Sequence, residues 1–155
     1  MTAQKTWTAG DVLTAADMNT YARGGQEMGY AQITADQTGI TTVADVTGLS
    51  VTWTAISSRV YLLTANVSVT SSVADDRLGV YISDSGGTQK AARFSNGIRI
   101  ATRELGMIVQ YRVTGLTGSV TYKVRAERTA GTGTMTVFGS ASSASFFHVQ
   151  DVGAA

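Results

Sequence analysis

Tyr61-Leu62-Leu63-Thr64-Ala65-Asn66-Val67-Ser68-Val69 decides the fold class. Tyr61, Leu63, Ala65, Val67 and Val69 share one face, and Leu62, Thr64, Asn66 and Ser68 share the other. A period of two with one apolar phase is the pattern of a strand with one buried face. The same rule extends outward to Leu78, Val80 and Ile82, and to Leu105, Met107, Val109, Tyr111 and Val113. Val120, Tyr122, Val124 and Ala126 then alternate with Thr121, Lys123, Arg125 and Glu127. Shorter strands are expected over residues 30–33, 41–43, 49–55, 135–138 and 146–152.

Turn chemistry falls between these runs. Ser83-Asp84-Ser85-Gly86-Gly87, the glycines of 115–118 and Gly131-Thr132-Gly133 interrupt them, and Asn96-Gly97 is a two-residue hairpin signal. About eight strands spaced roughly 8 to 15 residues apart, with no helix between them, predict an all-β, antiparallel β-sandwich, jelly-roll-like in outline. Ahead of it, Thr14-Ala15-Ala16-Asp17 has the spacing of a capping box, and Gly24-Gly25 stands where a helix would stop. The sequence thus divides into an N-terminal arm, 1–29, with one short helix over 15–23, and a β domain, 30–155.

Composition narrows the function. The chain has 155 residues, 43% of them hydrophobic, enough for one sizeable core. Its net charge of +1 argues against a partner held by bulk charge, so neither nucleic acid nor a membrane is expected. With no cysteine there is neither a disulfide framework nor a thiolate metal site. Only 15% of residues are charged, and Thr, Ser, Gly and Ala take their places, as on the outer faces of a Thr/Ser-rich β protein. No secretory signal or run of about 20 apolar residues is visible, so the chain is expected to stay where it is made. Without proline, a device for blunting sheet edges is missing, and covering them by oligomerisation is the natural alternative.

Candidate chemistry is sparse. His148, the one histidine, takes the polar phase of Phe146-Phe147-His148-Val149-Gln150, and no orienting partner or nucleophile is signalled beside it. Asp75-Asp76 lacks the pattern of a calcium loop and reads as a solvated turn. Asp84-Ser85-Gly86-Gly87 reads as a hairpin turn, because a protease of that signature needs a histidine upstream. Gly131-Thr132-Gly133 precedes a strand rather than a helix, which removes the phosphate-loop reading. Asn66-Val67-Ser68 is a strand position, and Glu104 and Glu127 would make a catalytic pair only if folding brought them together. Arg93, Arg99, Arg103, Arg112, Arg125 and Arg128, with Phe94, Tyr111 and Tyr122 interleaved, give the middle of the chain a basic bias of the kind single-strand binders use; the nearby Asp75, Asp76, Asp84, Glu104 and Glu127 weigh against that, and the arginines serve equally well in subunit contacts. No enzyme, cofactor or metal site is expected.

The opening Trp7-Thr8-Ala9-Gly10-Asp11-Val12-Leu13-Thr14-Ala15-Ala16-Asp17-Met18-Asn19 resembles the start of small structural proteins of tailed bacteriophages, especially those of actinobacteria. Asp45-Val46-Thr47-Gly48-Leu49-Ser50-Val51 and Phe147-His148-Val149-Gln150-Asp151-Val152-Gly153 are similar to the rest of that pattern. The resemblance implies an arm that attaches to the virion and a projecting β domain, usually as a homotrimer. It implies a capsid decoration protein on the capsid surface, made in the host cytoplasm, with the major capsid protein or another virion protein as partner. Independently, Trp7, Val12, Leu13, Met18 and Tyr21 form an apolar set the arm cannot bury by itself; these are the expected attachment residues, the alternative being that the arm packs on its own β domain. The alternative is a receptor- or glycan-binding module of a head or tail fibre, with Tyr61, Tyr81 or Phe94 as exposed contacts.

Overall fold

The computed structural model describes residues 8–12, 14–15, 25–95, 97–140 and 144–155. Ten strands follow one another: β1 (Gln26–Gln32), β2 (Gln37–Ile40), β3 (Ala44–Ala55), β4 (Arg59–Ser71), β5 (Arg77–Asp84), β6 (Gln89–Phe94), β7 (Leu105–Thr114), β8 (Gly118–Ala130), β9 (Met135–Val137) and β10 (Phe146–Ala154). The helix expected over 15–23 lies, past its first residue, outside the described residues. β1 begins at Gln26, so its first residues fall within the segment read as arm.

All pairings are antiparallel. One sheet runs β1-β10-β4, with β7 on the far side of β4 and the short β9-β2 ribbon continuing from the end of β4. The other runs β3-β8-β5-β6. The sheets face each other across one core, which β4 supplies with Tyr61, Leu63, Ala65, Val67 and Val69 in the phase its sequence predicts. Val120, Tyr122, Val124 and Ala126 of β8 answer from the opposite sheet. Trp53 of β3 lies between Tyr61 and Tyr122, each ring centroid 5.6 Å away, so an aromatic group ties the two sheets together beside the β3–β4 turn. The Tyr61 hydroxyl also accepts the Ile56 N–H at 2.8 Å, which fixes the β3–β4 turn. Where β1 crosses β3 a side chain has no room: a Cβ on Gly29 would collide with Val51.

Arg59 and Asp151 are the buried ion pair. Arg59 Nε and Nη2 donate to the two carboxylate oxygens of Asp151, each at 2.8 Å, and both side chains are almost fully enclosed. Asp151 also accepts the Gly153 N–H at 3.0 Å, so the β-bulge at the end of β10 closes around the pair.

Two expectations are corrected, and one strand, β6, is unforeseen. Residues 41–43 are not a strand: the short strand is β2, just before them. β6, Gln-Lys-Ala-Ala-Arg-Phe, has no apolar alternation to announce it and forms by pairing along β5. Asn96-Gly97 does not turn a hairpin, because β6 and β7 belong to different sheets. Gly97 instead turns the chain so that Ile98 enters the core, where its N–H reaches Asp76 O at 3.0 Å and its carbonyl accepts the Asp75 N–H at 2.6 Å. The expected turn at 83–87 is present, with the Gly87 N–H on Asp84 O at 3.0 Å and the Thr88 N–H on Asp84 Oδ1 at 2.9 Å.

Removing one member of a buried pair takes two charge-assisted hydrogen bonds from the enclosed Arg59, so Asp151→Ala should cost about 3–5 kcal/mol in urea unfolding. The double change Arg59→Met with Asp151→Leu should cost less than Asp151→Ala alone, since no charge is then stranded.

Candidate interaction surfaces

The arm joins the β domain at a pinned point. The Gly25 N–H donates to Asp151 O at 2.7 Å, and Gln150 Nε2 donates to Gly25 O at 3.1 Å. The backbone beneath the arm is therefore that of the residue held by Arg59. Of the five expected attachment residues, Trp7, Leu13, Met18 and Tyr21 lie outside the described residues. Val12 is 78% exposed, beyond a turn in which the Asp11 N–H reaches Thr8 O at 3.1 Å and Asp11 Oδ2 accepts the Thr8 N–H at 2.9 Å.

The outer face of the β1-β10-β4-β7 sheet carries two rows fixed by register. Tyr30, His148, Thr64 and Gln110 make one, and Gln32, Phe146, Asn66 and Ile108 the other. The Tyr30 and Phe146 rings stack with centroids 5.8 Å apart. His148 is on this surface, as its polar phase requires, with Nε2 3.4 Å from Glu27 Oε2. Ile108 stands well out of the face, near the sheet's free edge.

The outer face of the second sheet is closed by polar contacts. Asp45 binds Lys123 Nζ at 2.7 Å and Arg125 Nε at 2.9 Å. Chiefly through the hydrogen bond from Lys123, these cations hold the Asp45 carboxyl below its ordinary range, against a smaller opposing effect of burial. Glu127 accepts from the Tyr81 hydroxyl, and the Tyr81 ring meets Phe94 edge-on at 5.5 Å. The fibre alternative placed exposed contacts at Tyr61, Tyr81 and Phe94. Tyr61 is fully buried as a core residue and Tyr81 is buried by Phe94 and Glu127, so Phe94 alone is exposed. Glu104 and Glu127 serve different surroundings: Glu104 lines a cleft before β7, whereas Glu127 is engaged by Tyr81.

That cleft lies where the chain passes from β6 to β7. It holds about 370 Å³ and is lined by Ile98, Arg99, Ile100, Arg103, Glu104 and Leu105 with the flanking glycines 97 and 106. Arg93, Phe94 and Met107 line a smaller cleft beside it. Among the described residues, no group of three or more His, Asp or Glu side chains is arranged to hold a metal ion.

Asp75-Asp76 is only half the solvated turn expected. Asp75 is exposed, but Asp76 is 1% exposed and clamped. Its carboxylate accepts Ser71 Oγ–H at 2.5 Å and the N–H groups of Thr132 and Gly133 at 3.0 Å each. Gly131-Thr132-Gly133 wraps this carboxylate, and a Cβ on either glycine would collide with it. The motif dismissed as a phosphate loop is thus an anion cradle for the chain's own side chain. The two glycines flanking one residue were the available signal.

No protein-family model and no curated protein matches the chain. Solved structures resemble it weakly. A sugar-binding protein, the EclA C-terminal domain, is 12% identical, with 76% of this chain and 78% of that one covered and a TM-score of 0.42. The structure of infectious bursal disease virus Gx strain is 14% identical over 84% of this chain, with a TM-score of 0.44. Only 40% of the virus chain is covered, so this chain spans less than half its length. The CBM22-1 xylan-binding domain from Paenibacillus barcinonensis Xyn10C is 14% identical, over 86% of this chain and 99% of that one, with a TM-score of 0.34.

Asp76→Ala should destabilise the domain by about 2–4 kcal/mol in urea unfolding, because the buried Gly133 N–H and the buried Ser71 hydroxyl lose their acceptor. Asp76→Asn, which keeps one acceptor oxygen, should lose less. The Asp45 carboxyl, depressed in the folded state, contributes stability that is present above its unfolded value and lost as pH falls through its folded value. A urea titration repeated downward from pH 5 should therefore show Asp45→Asn and wild type converging in stability.

Proposed function

We propose that this chain is a non-enzymatic structural protein of a tailed-phage virion, most specifically a capsid decoration protein. In this reading the β domain is a jelly roll. The order β1-β10-β4-β7 facing β3-β8-β5-β6 supports that topology, with the β2-β9 ribbon as an addition. The observation that carries the function is the opening motif, Trp7 to Asn19, joined to a strand that is pinned at Gly25. An apolar arm leaving a fixed point on a rigid domain can dock without disturbing the fold behind it. The arm would seat Trp7, Val12, Leu13, Met18 and Tyr21 on the major capsid protein or another virion protein. Three copies would then reinforce a capsomer junction through buried area alone, with no cofactor, nucleic acid or membrane involved.

A second reading is favoured by one surface. The stacked Tyr30 and Phe146, bordered by Gln32 and Asn66, offer a ring beside amide groups, a combination suited to a sugar. A fibre or minor tail module would use it to bind a receptor glycan.

Phage shells lacking the protein discriminate between these readings. The full-length chain should bind them saturably and a chain starting at Gly24 should not, while both keep the same unfolding midpoint. Trp7→Ala should weaken shell binding by about 2–4 kcal/mol per subunit without unfolding the domain, as loss of an aromatic anchor does. Equal binding with and without the arm would overturn the anchor. Saturable glycan-array binding abolished by Tyr30→Ala, with no shell binding, would favour the fibre module instead.

A further inference from the structure

We propose that copies of this chain associate head to tail, the flank formed by β6 and β7 of one copy seating on the flank formed by β1 and β3 of the next. The number of copies, three, rests on the reading above, whereas the contact rests on the following geometry.

β1 and β3 are the edge strands on one flank of the two sheets, and β7 and β6 are the edges on the other. The chain's charge divides between these flanks. Residues 25–58, which include β1, β2 and β3, contain Glu27, Asp36 and Asp45 and no lysine or arginine. Residues 77–112, which include β5, β6 and β7, contain Arg77, Lys90, Arg93, Arg99, Arg103 and Arg112 against Asp84 and Glu104. Contacts within one copy use some of these charges: Lys90 binds Asp84 at 3.0 Å, and Asp45 is held by Lys123 and Arg125. What remains is complementary. Arg93, Arg99, Arg103 and Arg112 are exposed and have no ion-pair partner among the described residues. On the other flank Glu27 has only His148 nearby, and exposed Asp36 accepts a single backbone N–H, that of Gly139.

Two facts select a second copy as the occupant. The whole chain is within one unit of neutrality, so the excess of cations on one flank is matched by a deficit elsewhere on the same molecule. A like-to-like contact would set arginines against arginines, which costs free energy, whereas a head-to-tail contact sets them against carboxylates. The surfaces also carry apolar area for such a contact. Phe94, Ile100, Leu105 and Ile108 are exposed on or beside the basic flank, next to its cleft, and Tyr30 is exposed on the opposite edge. Among the described residues β7 pairs only with β4 and β6 only with β5, which leaves their outward backbone edges for a neighbour to cover.

Head-to-tail contacts have a property that tests them. Each copy has two different faces, so a copy with a ruined basic flank and a copy with a ruined acidic flank still share one intact contact. The variants are Arg103→Ala with Arg112→Ala, and Gln26→Lys with Glu27→Lys, all at exposed positions, so that the two altered flanks do not complement each other. Masses are read by light scattering at low salt, with circular dichroism verifying the β spectrum of each variant. Wild type should run at three chain masses, each variant alone at one, and an equimolar mixture at two. If the variants keep three chain masses, or the mixture stays at one, the flank contact is overturned while the trimer stands. If wild type itself runs at one chain mass at every concentration, the trimer reading falls and the contact with it.

Discussion

The pairing of Arg59 with Asp151 is the constraint on which the rest depends. It joins the first residue of β4 to the end of β10, so it fixes the register of the two strands that carry most of one sheet. The carbonyl of the same aspartate accepts from Gly25, so the residue just ahead of β1 is tied to the same point. A charged pair in this place is less a source of net stability than of uniqueness. A strand slipped by one residue would point a buried carboxylate at solvent and a solvated side chain at the core, and the mismatch selects one alignment.

A second device of the same kind closes the opposite end. Asp76 collects a hydroxyl and two backbone N–H groups from segments far apart in sequence. Its neighbour Asp75 and its own carbonyl bind Ile98, the residue that carries the chain across from one sheet to the other. Loops at that end are thereby held without proline or disulfides, by one carboxylate and the glycines that make room for it. Both ends of the domain are thus tied by a buried carboxylate.

The strands with strong alternation were legible in the sequence, because one buried face imposes a period of two that composition cannot hide. β4, β5, β7 and β8 fall where their apolar residues put them. β6 was not legible, since its residues bury little and its shape comes from the neighbouring strand rather than from its own pattern. Asn96-Gly97 misled for a related reason: local turn chemistry is indifferent to which sheet the chain enters next, and Ile98 settles that through tertiary burial. The ion pair left a trace that phase alone reveals. Arg59 extends the buried series of Tyr61 and Leu63, and Asp151 extends that of Phe147 and Val149, so each is a charge written into an apolar phase. The surfaces were less legible, because exposure on a flank depends on strand order, which spacing does not specify. Tyr61 and Tyr81, which look alike as candidate contacts, are buried for different reasons, one by the core and the other by Phe94 and Glu127.

The position of β10 has a consequence for synthesis. It lies between β1 and β4, yet it follows both in the chain by many residues. Until residue 146 has emerged, β1 has no strand to pair with, and Gly25 lacks the acceptor that pins it. Long-range closures of this kind are slow and come late. Gly25 is thus fixed in place only after the domain has been read through to β10. A chain truncated earlier would leave both β1 and the outer side of β4 without the strand that joins them.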